Sequence, residues 1–328
     1  MAPPQHEFDF IASIRQKLSQ HPRLVLGIGD DAALVEFPCR PGNSSHGAAG
    51  CLVTVDMLME GVDFTIPPAT PRQIGWKSLA VNLSDIAAMA GIPVACVISV
   101  SLPRKNGFEL GRGLMEGIIE CANRFGVAIA GGDTNTWEGP LVISITVLGE
   151  PTSRGPVRRS GAKPGDWIMA TGSFGGSIAG KHLDFTPRVA EALALYEAAA
   201  LHAMIDVSDG LAADLWHILD ESRVGAILDA AAVPVSPQAV AGRDHKSPLE
   251  HALSDGEDFE LLFTVSAADG QALLNAPPPI DNVPMPLSHI GEITTGRDCL
   301  LKSADGKLRR LPALGWKHGF DGETCTIV

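Results

Sequence analysis

The chain has 328 residues, 45% hydrophobic and 19% charged, with 38 acidic side chains against 25 basic ones and a net charge of −13. That length accommodates two domains with separate cores, and the balance of apolar to charged residues excludes general disorder. With no basic tail and only 5% aromatic residues, a nucleic-acid backbone or an anionic membrane is excluded as a natural partner, and an anionic ligand has to arrive with cations.

The start MAPPQHEFDF lacks the basic region and apolar run of a secretory signal, and no uninterrupted run of about 18 apolar residues reads as a membrane span. The six cysteines, Cys39, Cys51, Cys96, Cys121, Cys299 and Cys325, are scattered without a CxxC pair. This spacing speaks for reduced thiols and a cytoplasmic location rather than a disulfide framework or a zinc site.

Apolar residues at helical spacing (Phe10, Ile14, Leu18) predict an amphipathic helix over 7–20. A Gly-Ile-Gly-Asp-Asp turn, a strand over 32–37, an exposed Gly/Ser/Pro loop over 40–50 and a strand over 51–55 ending at Asp56 follow. Next come a largely apolar helix over 72–90, a strand over 94–102, a helix over 108–125, and strands over 127–130 and 141–148. The stretch PTSRGPVRRSGAKPGD (151–166) has no apolar periodicity and marks a boundary between a first domain, 1–150, and a second, 151–328. In the second half, strands are expected over 167–171, 203–207, 259–265 and 287–293, and helices over 188–200, 211–222 and 267–275, with a Pro-rich turn over 276–286. Strands and helices mix without strict βαβ alternation, so the fold class is α+β, in two mixed α/β domains.

Four places put aspartates where an apolar segment ends: GIGDDAA (27–33), LVTVDML (52–58), IAGGDTN (129–135) and IDVSDGL (205–211). Any one of them is an ordinary turn, since Asp and Gly favour turns. Taken together they predict bound cations, because adjacent like charges are unfavourable without them. Magnesium, which takes oxygen ligands at about 2.0–2.1 Å, suits scattered carboxylates; zinc would want His or Cys, which these turns lack. On the helix over 72–90, Ser78, Asn82 and Asp85 stand at i, i+4 and i+7, a short polar stripe facing either a ligand or solvent.

Other signals fail. GGSIAGKH (175–182) nearly matches the phosphate-binding loop GxxxxGK[ST], but His182 stands where the hydroxyl is needed. A glycine-rich turn there still leaves a helix N-terminus able to accept a phosphate, or simply a tight turn. No GxSxG, HExxH or GxGxxG occurs, and a lone histidine such as His217 or His289 reads as structural. Glu257 and Asp258 in LSDGEDFELLF (253–263) either hold a cationic substrate or form an exposed turn. Arg158, Arg159 and Lys163 lie at the boundary, where a nucleotide phosphate fits.

These runs, in this order, resemble the thiamine-monophosphate kinase family: LGIGDDAAL (26–34), VDMLMEGVDF (55–64), KSLAVNLSDIAAMAGIP (77–93), AGGDT (130–134), RRSGAKPGDWIMATG (158–172), IDVSDGLAADLWHI (205–218) and LSDGEDFELLF (253–263). The resemblance implies a homodimer whose N-terminal domains form a barrel-like core, and transfer of the ATP γ-phosphoryl group to thiamine monophosphate. By position it implies magnesium ligation by Asp31, Asp56, Asp85, Asp133, Asp206 and Asp209, with main-chain or hydroxyl help around Thr54 and Val55. It implies ATP contacts at Gly132, Asp133, Arg159 and Ser208, and substrate contacts at Glu257 and Phe320. Asp63 stands where the family usually has a substrate-contacting His, and the end GFDGETCTIV departs from the usual Gly-aromatic-Asp-His-Phe. No general base is implied. The alternatives are another enzyme of the same superfamily with a different small acceptor, and a non-catalytic nucleotide-binding regulator.

Overall fold

The structure, a computed structural model, describes residues 7–18, 21–36 and 50–317. In the first half the order is α1 (Glu7–Arg15), β1 (Leu24–Leu26), β2 (Ala33–Glu36), β3 (Gly50–Met59), α2 (Pro71–Ala88), β4 (Ile92–Pro103), α3 (Gly107–Phe125), β5 (Ala128–Trp137) and β6 (Val142–Glu150). Then come β7 (Trp167–Thr171), α4 (Lys181–Asp184), α5 (Val189–Ala198), β8 (Ala203–Asp206), α6 (Leu211–Ser222), β9 (Gly225–Asp229), α7 (Pro237–Ala241) and α8 (Pro248–Ser254). The chain continues through β10 (Leu261–Val265), α9 (Ala267–Asn275), β11 (Pro279–Ile280), β12 (Val283–Pro284), β13 (Leu287–Thr294), β14 (Cys299–Lys302) and β15 (Leu308–Arg310).

Strands β1 to β6 form one six-stranded sheet in the order β1-β2-β3-β6-β4-β5, in which only β4 and β5 run parallel. A seven-stranded sheet, β15-β14-β9-β13-β7-β10-β8, holds most of the second half. The result is mixed α/β with two sheets. Two corrections concern strand ends: β3 does not stop at Asp56 but runs to Met59, and β5 runs through 131–137, so Asp56 and Asp133 sit inside strands rather than in turns. Asp56 alternates with the apolar Val55 and Met57, whereas Asp133 lies in a polar run, Asp133–Thr136, on an exposed edge strand. The first helix is shorter than its periodicity predicts, ending at Arg15.

The element that joins the halves is α2. Thr70 caps it in a reciprocal capping box with Gln73, and Pro71 occupies the first turn, so its start is sharply defined. It is buried nearly all round, as its apolar circumference predicts. One side lies on β3 and β6, and another meets α4, α5 and β8 of the second half. The apolar core therefore runs from Ile145 and Val147 of the first sheet through Leu79 and Leu83 to Met169, Met204 and Phe263 of the second. The other face of the second sheet has its own core with α6, around Ile205, Leu215 and Leu262.

Helices α2 and α3 approach closely because each presents a glycine. A Cβ at Gly75 would lie 1.9 Å from the Leu114 carbonyl oxygen, and one at Gly117 would lie 1.9 Å from that of Arg72. Only backbone movement could relieve either clash. Gly117→Ala is therefore expected to cost about 1–3 kcal/mol of unfolding free energy, read from urea denaturation; an unchanged midpoint would show that the helices separate freely.

Candidate functional site

Asp31 follows β1 in a turn, Asp85 stands near the C-terminal end of α2, and Asp206 ends β8. Three segments from both halves thus bring carboxylate oxygens within 4.8 Å of one another. Asp56, on the same inner face of β3 as Thr54, adjoins them: Asn82 Oδ1 accepts its backbone N–H at 3.1 Å, and the Thr54 hydroxyl donates to Asp85 Oδ2. Ser84 donates to Asp206 Oδ2 at 2.5 Å. The polar stripe of α2 therefore faces neither solvent nor empty space. Ser78 returns its hydroxyl to the Ile74 carbonyl, Asn82 fixes β3, and Asp85 enters the acid cluster.

Arg159 is the one cation bonded directly to this cluster among the described residues. Its guanidinium donates to Asp31 through Nη2 at 2.8 Å and Nε at 3.3 Å, and its backbone N–H donates to Asp30 at 2.8 Å. One guanidinium does not neutralise four carboxylates. Burial, then repulsion from Asp63, pushes the Asp56 carboxyl up to about 6. Burial and Asp31 push Asp206 up to about 8, and burial with Asp56 holds Asp85 well above the usual range. Asp56 Oδ2 is sealed from solvent with no hydrogen-bond partner. A buried, unpaired carboxylate oxygen beside three convergent ones is a donor set for a hard divalent cation, with hydroxyl and carboxylate oxygen but no sulfur.

Asp209 belongs to a second group of donors with Asp214 and His217, also within 4.8 Å. Asp214 accepts the backbone N–H groups of Asp209 and Gly210 at 3.1 and 3.0 Å, which fixes the loop entering α6. Burial and the nearby Arg159 lower His217 to about 4, leaving a neutral imidazole. Glu257 donates its N–H to the Ser208 carbonyl at 2.6 Å, so the loop between α8 and β10 rests on the same segment.

Models of the AIR synthase related protein family match this chain over residues 29–150 for the N-terminal domain and 163–299 for the C-terminal domain. A thiamine-monophosphate kinase of Rhodopirellula baltica is 40% identical over 316 residues, covering 95% of this chain and 97% of that protein. The chain belongs to the thiamine-monophosphate kinase family. The solved structure of AaThiL complexed with AMPPCP and TMP superposes with a TM-score of 0.78 at 27% identity, over 95% of this chain and 97% of that one. The thiamine-monophosphate kinase of Stenotrophomonas maltophilia gives 0.69 at 34% identity, over 93% and 100%.

Within this family fold, the expected ligand residues divide. Asp31, Asp56, Asp85 and Asp206 share one space, and Asp209 lies on the adjoining loop. Asp133 does not join them. Through strand register it stands in one row with Ser99, Ser144 and Met57, on the sheet face opposite Asp56. Gly132 is exposed, and a Cβ there would lie 1.8 Å from the Ile98 carbonyl oxygen of the neighbouring strand, so the close approach of β5 to β4 requires glycine. The Val55 side chain is exposed on the outer face, which leaves only its main chain for the site. Asp63 accepts the Met59 N–H at 2.6 Å and so closes its own turn. Phe320 lies outside the described residues.

Sequence reasoning missed Lys77, Ser84, Asp214, His217 and Trp316 as site neighbours. Asp214 and His217 stand three apart on one helix, a spacing that could have flagged them. Trp316 donates its N–H to the Asp209 carbonyl at 2.9 Å, and Gly315-Trp316-Lys317-His318 fits a Gly-aromatic-x-His pattern better than the segment around Phe320. The near P-loop is closed to phosphate: Asp258 accepts the Gly175 N–H at 2.9 Å and the Ser177 hydroxyl, and Asp255 accepts the Gly176 N–H at 2.9 Å.

The raised acids fix a sign. Stability from holding Asp56 and Asp206 protonated is complete below the ordinary carboxylate range and is lost as pH rises through about 6 and about 8. In EDTA the melting temperature should therefore fall from about pH 5 to about pH 8. Magnesium should raise it more at the upper end, since ligation needs the deprotonated acids. A melting temperature that rises over this window in EDTA, or a magnesium effect independent of pH, contradicts that assignment.

Proposed function

We propose that the protein transfers the γ-phosphoryl group of ATP to thiamine monophosphate, giving thiamine diphosphate, by direct in-line displacement with magnesium. The observation that carries this reading is the convergence of Asp31, Asp85 and Asp206, beside the unpartnered Asp56 Oδ2, in a member of a kinase family. Donor and acceptor are both polyanions, and two unit charges at 4 Å repel by about 4 kcal/mol at the effective dielectric of a protein surface. Bound magnesium would supply the charge neutralisation and alignment that phosphoryl transfer requires.

The chain's residues do the rest. Asp31, Asp56, Asp85 and Asp206, with Asp209 from the adjoining loop, are the cation ligands in this reading; Thr54 and Ser84 orient two of them by hydrogen bonds. In this reading Arg159, held by Asp31 at the boundary segment, and Ser208 meet the donor, and Glu257, whose N–H is bonded to the Ser208 carbonyl, borders the acceptor. The attacking oxygen of a phosphate monoester is already ionised near neutral pH, so no side chain has to remove a proton. A bond forms from that oxygen to the γ-phosphorus as the bond to the β,γ-bridging oxygen breaks, and ADP leaves. The aromatic contact for the thiamine rings is assigned to Trp316, whose backbone is anchored on Asp209. No phosphoenzyme forms; a phospho-aspartate trapped from ATP would refute the direct route.

The same reading includes a homodimer with a barrel-like core. Outer-face residues Val55, Met57, Val97 and Leu148 are apolar and exposed, up to 60% for Val55, more than a sheet face ordinarily leaves to water. A shallow cavity of about 180 Å3 lined by Met57, Ser99, Asp133 and Ser144 opens there. A second copy covering this face would enclose Asp133 and leave Gly132 and Asp133 to meet nucleotide at the seam. Met57→Asp should yield monomers by light scattering; a monomeric parent protein would dismiss the seam.

A coupled assay for thiamine diphosphate tests the function. Asp56→Asn and Asp209→Asn should each lower kcat by about a hundredfold or more, with circular dichroism unchanged, and EDTA should abolish turnover. Asp63, in place of the family's histidine, favours a second reading with a different small acceptor. A panel of phosphate acceptors scored by ADP release decides between them.

A further inference from the structure

Resting on the kinase reading above, we propose that Lys77 is a positioning residue for the acceptor side of the site. Its side chain has no exposed surface at all, and it lies between Ile74 and Leu79 on a helix that is buried nearly all round. A charged amine in such a place is unfavourable unless paired and hydrogen-bonded. Lys77 donates to the carboxylate of Glu257 through Oε2 and to the main-chain oxygen of Asp63 at 3.0 Å. Those acceptors come from opposite halves of the chain: the turn after β3, and the loop between α8 and β10.

The geometry separates support from contact. Glu257 keeps 32% of its side chain exposed while Lys77 keeps none, so the carboxylate stands in front and the ammonium behind it. Oε1 of Glu257 has no protein partner among the described residues. It is the oxygen available to a cationic heteroaromatic ring or to a ring N–H of the substrate. The loop itself does not hold this pose unaided, since Glu257 (φ 56°) and Phe259 (φ 50°) both adopt the left-handed region that non-glycine residues disfavour. Its anchors include the Asp258 carboxylate on Gly175 and Ser177, the stacking of Phe259 on Phe185 at 3.9 Å, and, at Glu257 itself, the N–H to the Ser208 carbonyl and Lys77. Of these, Lys77 alone acts on the Glu257 carboxylate.

The test is steady-state kinetics with each substrate varied in turn. Lys77→Met should raise KM for thiamine monophosphate about tenfold or more while KM for MgATP stays within about twofold, and Lys77→Arg should recover part of the loss. Glu257→Gln, which keeps an acceptor oxygen for the Lys77 amine, should show the same split even where Lys77→Met folds poorly. The double variant should be no worse than Lys77→Met alone. Equal changes in both KM values, or a loss of kcat with both unchanged, overturns the assignment. A parent protein that forms no thiamine diphosphate sinks the kinase reading itself. Calorimetric titration of thiamine monophosphate then still reads Lys77, and an affinity in Lys77→Met and Glu257→Gln equal to that of the parent rejects the positioning role.

Discussion

Mutual repulsion among Asp31, Asp56, Asp85 and Asp206 is the interaction around which this molecule is arranged. Nothing in folding favours bringing these carboxylates together, since burial and proximity both oppose their charge. Three of them stay together because each is attached to an element already fixed by apolar contacts: Asp56 on β3 in the first sheet, Asp85 on α2 between both halves, Asp206 on β8 in the second sheet. Asp31, in a turn, is held by Arg159. The wedge of α2 between the halves is thus more than a packing solution. It converts the stability of two cores into the confinement of charge, and that confinement is what a divalent cation relieves.

The aspartate-bearing motifs and the buried helix were readable from residue order because each has a local cause. Apolar runs set the helix and strand positions, and a short polar stripe on an otherwise apolar helix signalled a buried destination. The side of the sheet on which each aspartate falls was not readable. Asp56 and Asp133 look alike in sequence, each preceded by a short apolar or glycine run. Parity along β3 and β5 puts them on opposite faces, and parity in β5 depends on an irregularity of register between Cys96 and Val97 that no local pattern encodes. Strands β9 and β14 were missed for a related reason. They are five and four residues long, and their pairing is decided by partners some 70 residues apart in sequence. Lys77 escaped because a lysine in a helical pattern ordinarily lies in water.

The glycine loop over 175–180 shows how the same chemistry can be refused. Its N–H groups could have cradled a phosphate, yet Asp258 and Asp255 take them from behind. Burial pushes the Asp258 carboxyl up to about 6, so this acid too is held against its preference by fixed donors. The loop is spent on architecture. In a chain of net charge −13, the proposed function meets phosphate through cations held by acids, and a neutral backbone cradle would have been a weak substitute against the surrounding field.

Arg159 stands where these two uses of charge meet. Its guanidinium is held by Asp31 through two nitrogens, and burial, which disfavours its charge, is outweighed by that carboxylate, leaving its pKa raised. Asp31 takes the edge formed by Nε and Nη2, and a guanidinium carries five N–H donors in all, so the end of the fork keeps donors of its own. The counter-charge of Asp31 and donors suited to a further oxyanion therefore sit on one planar group, at the boundary between the two sheets.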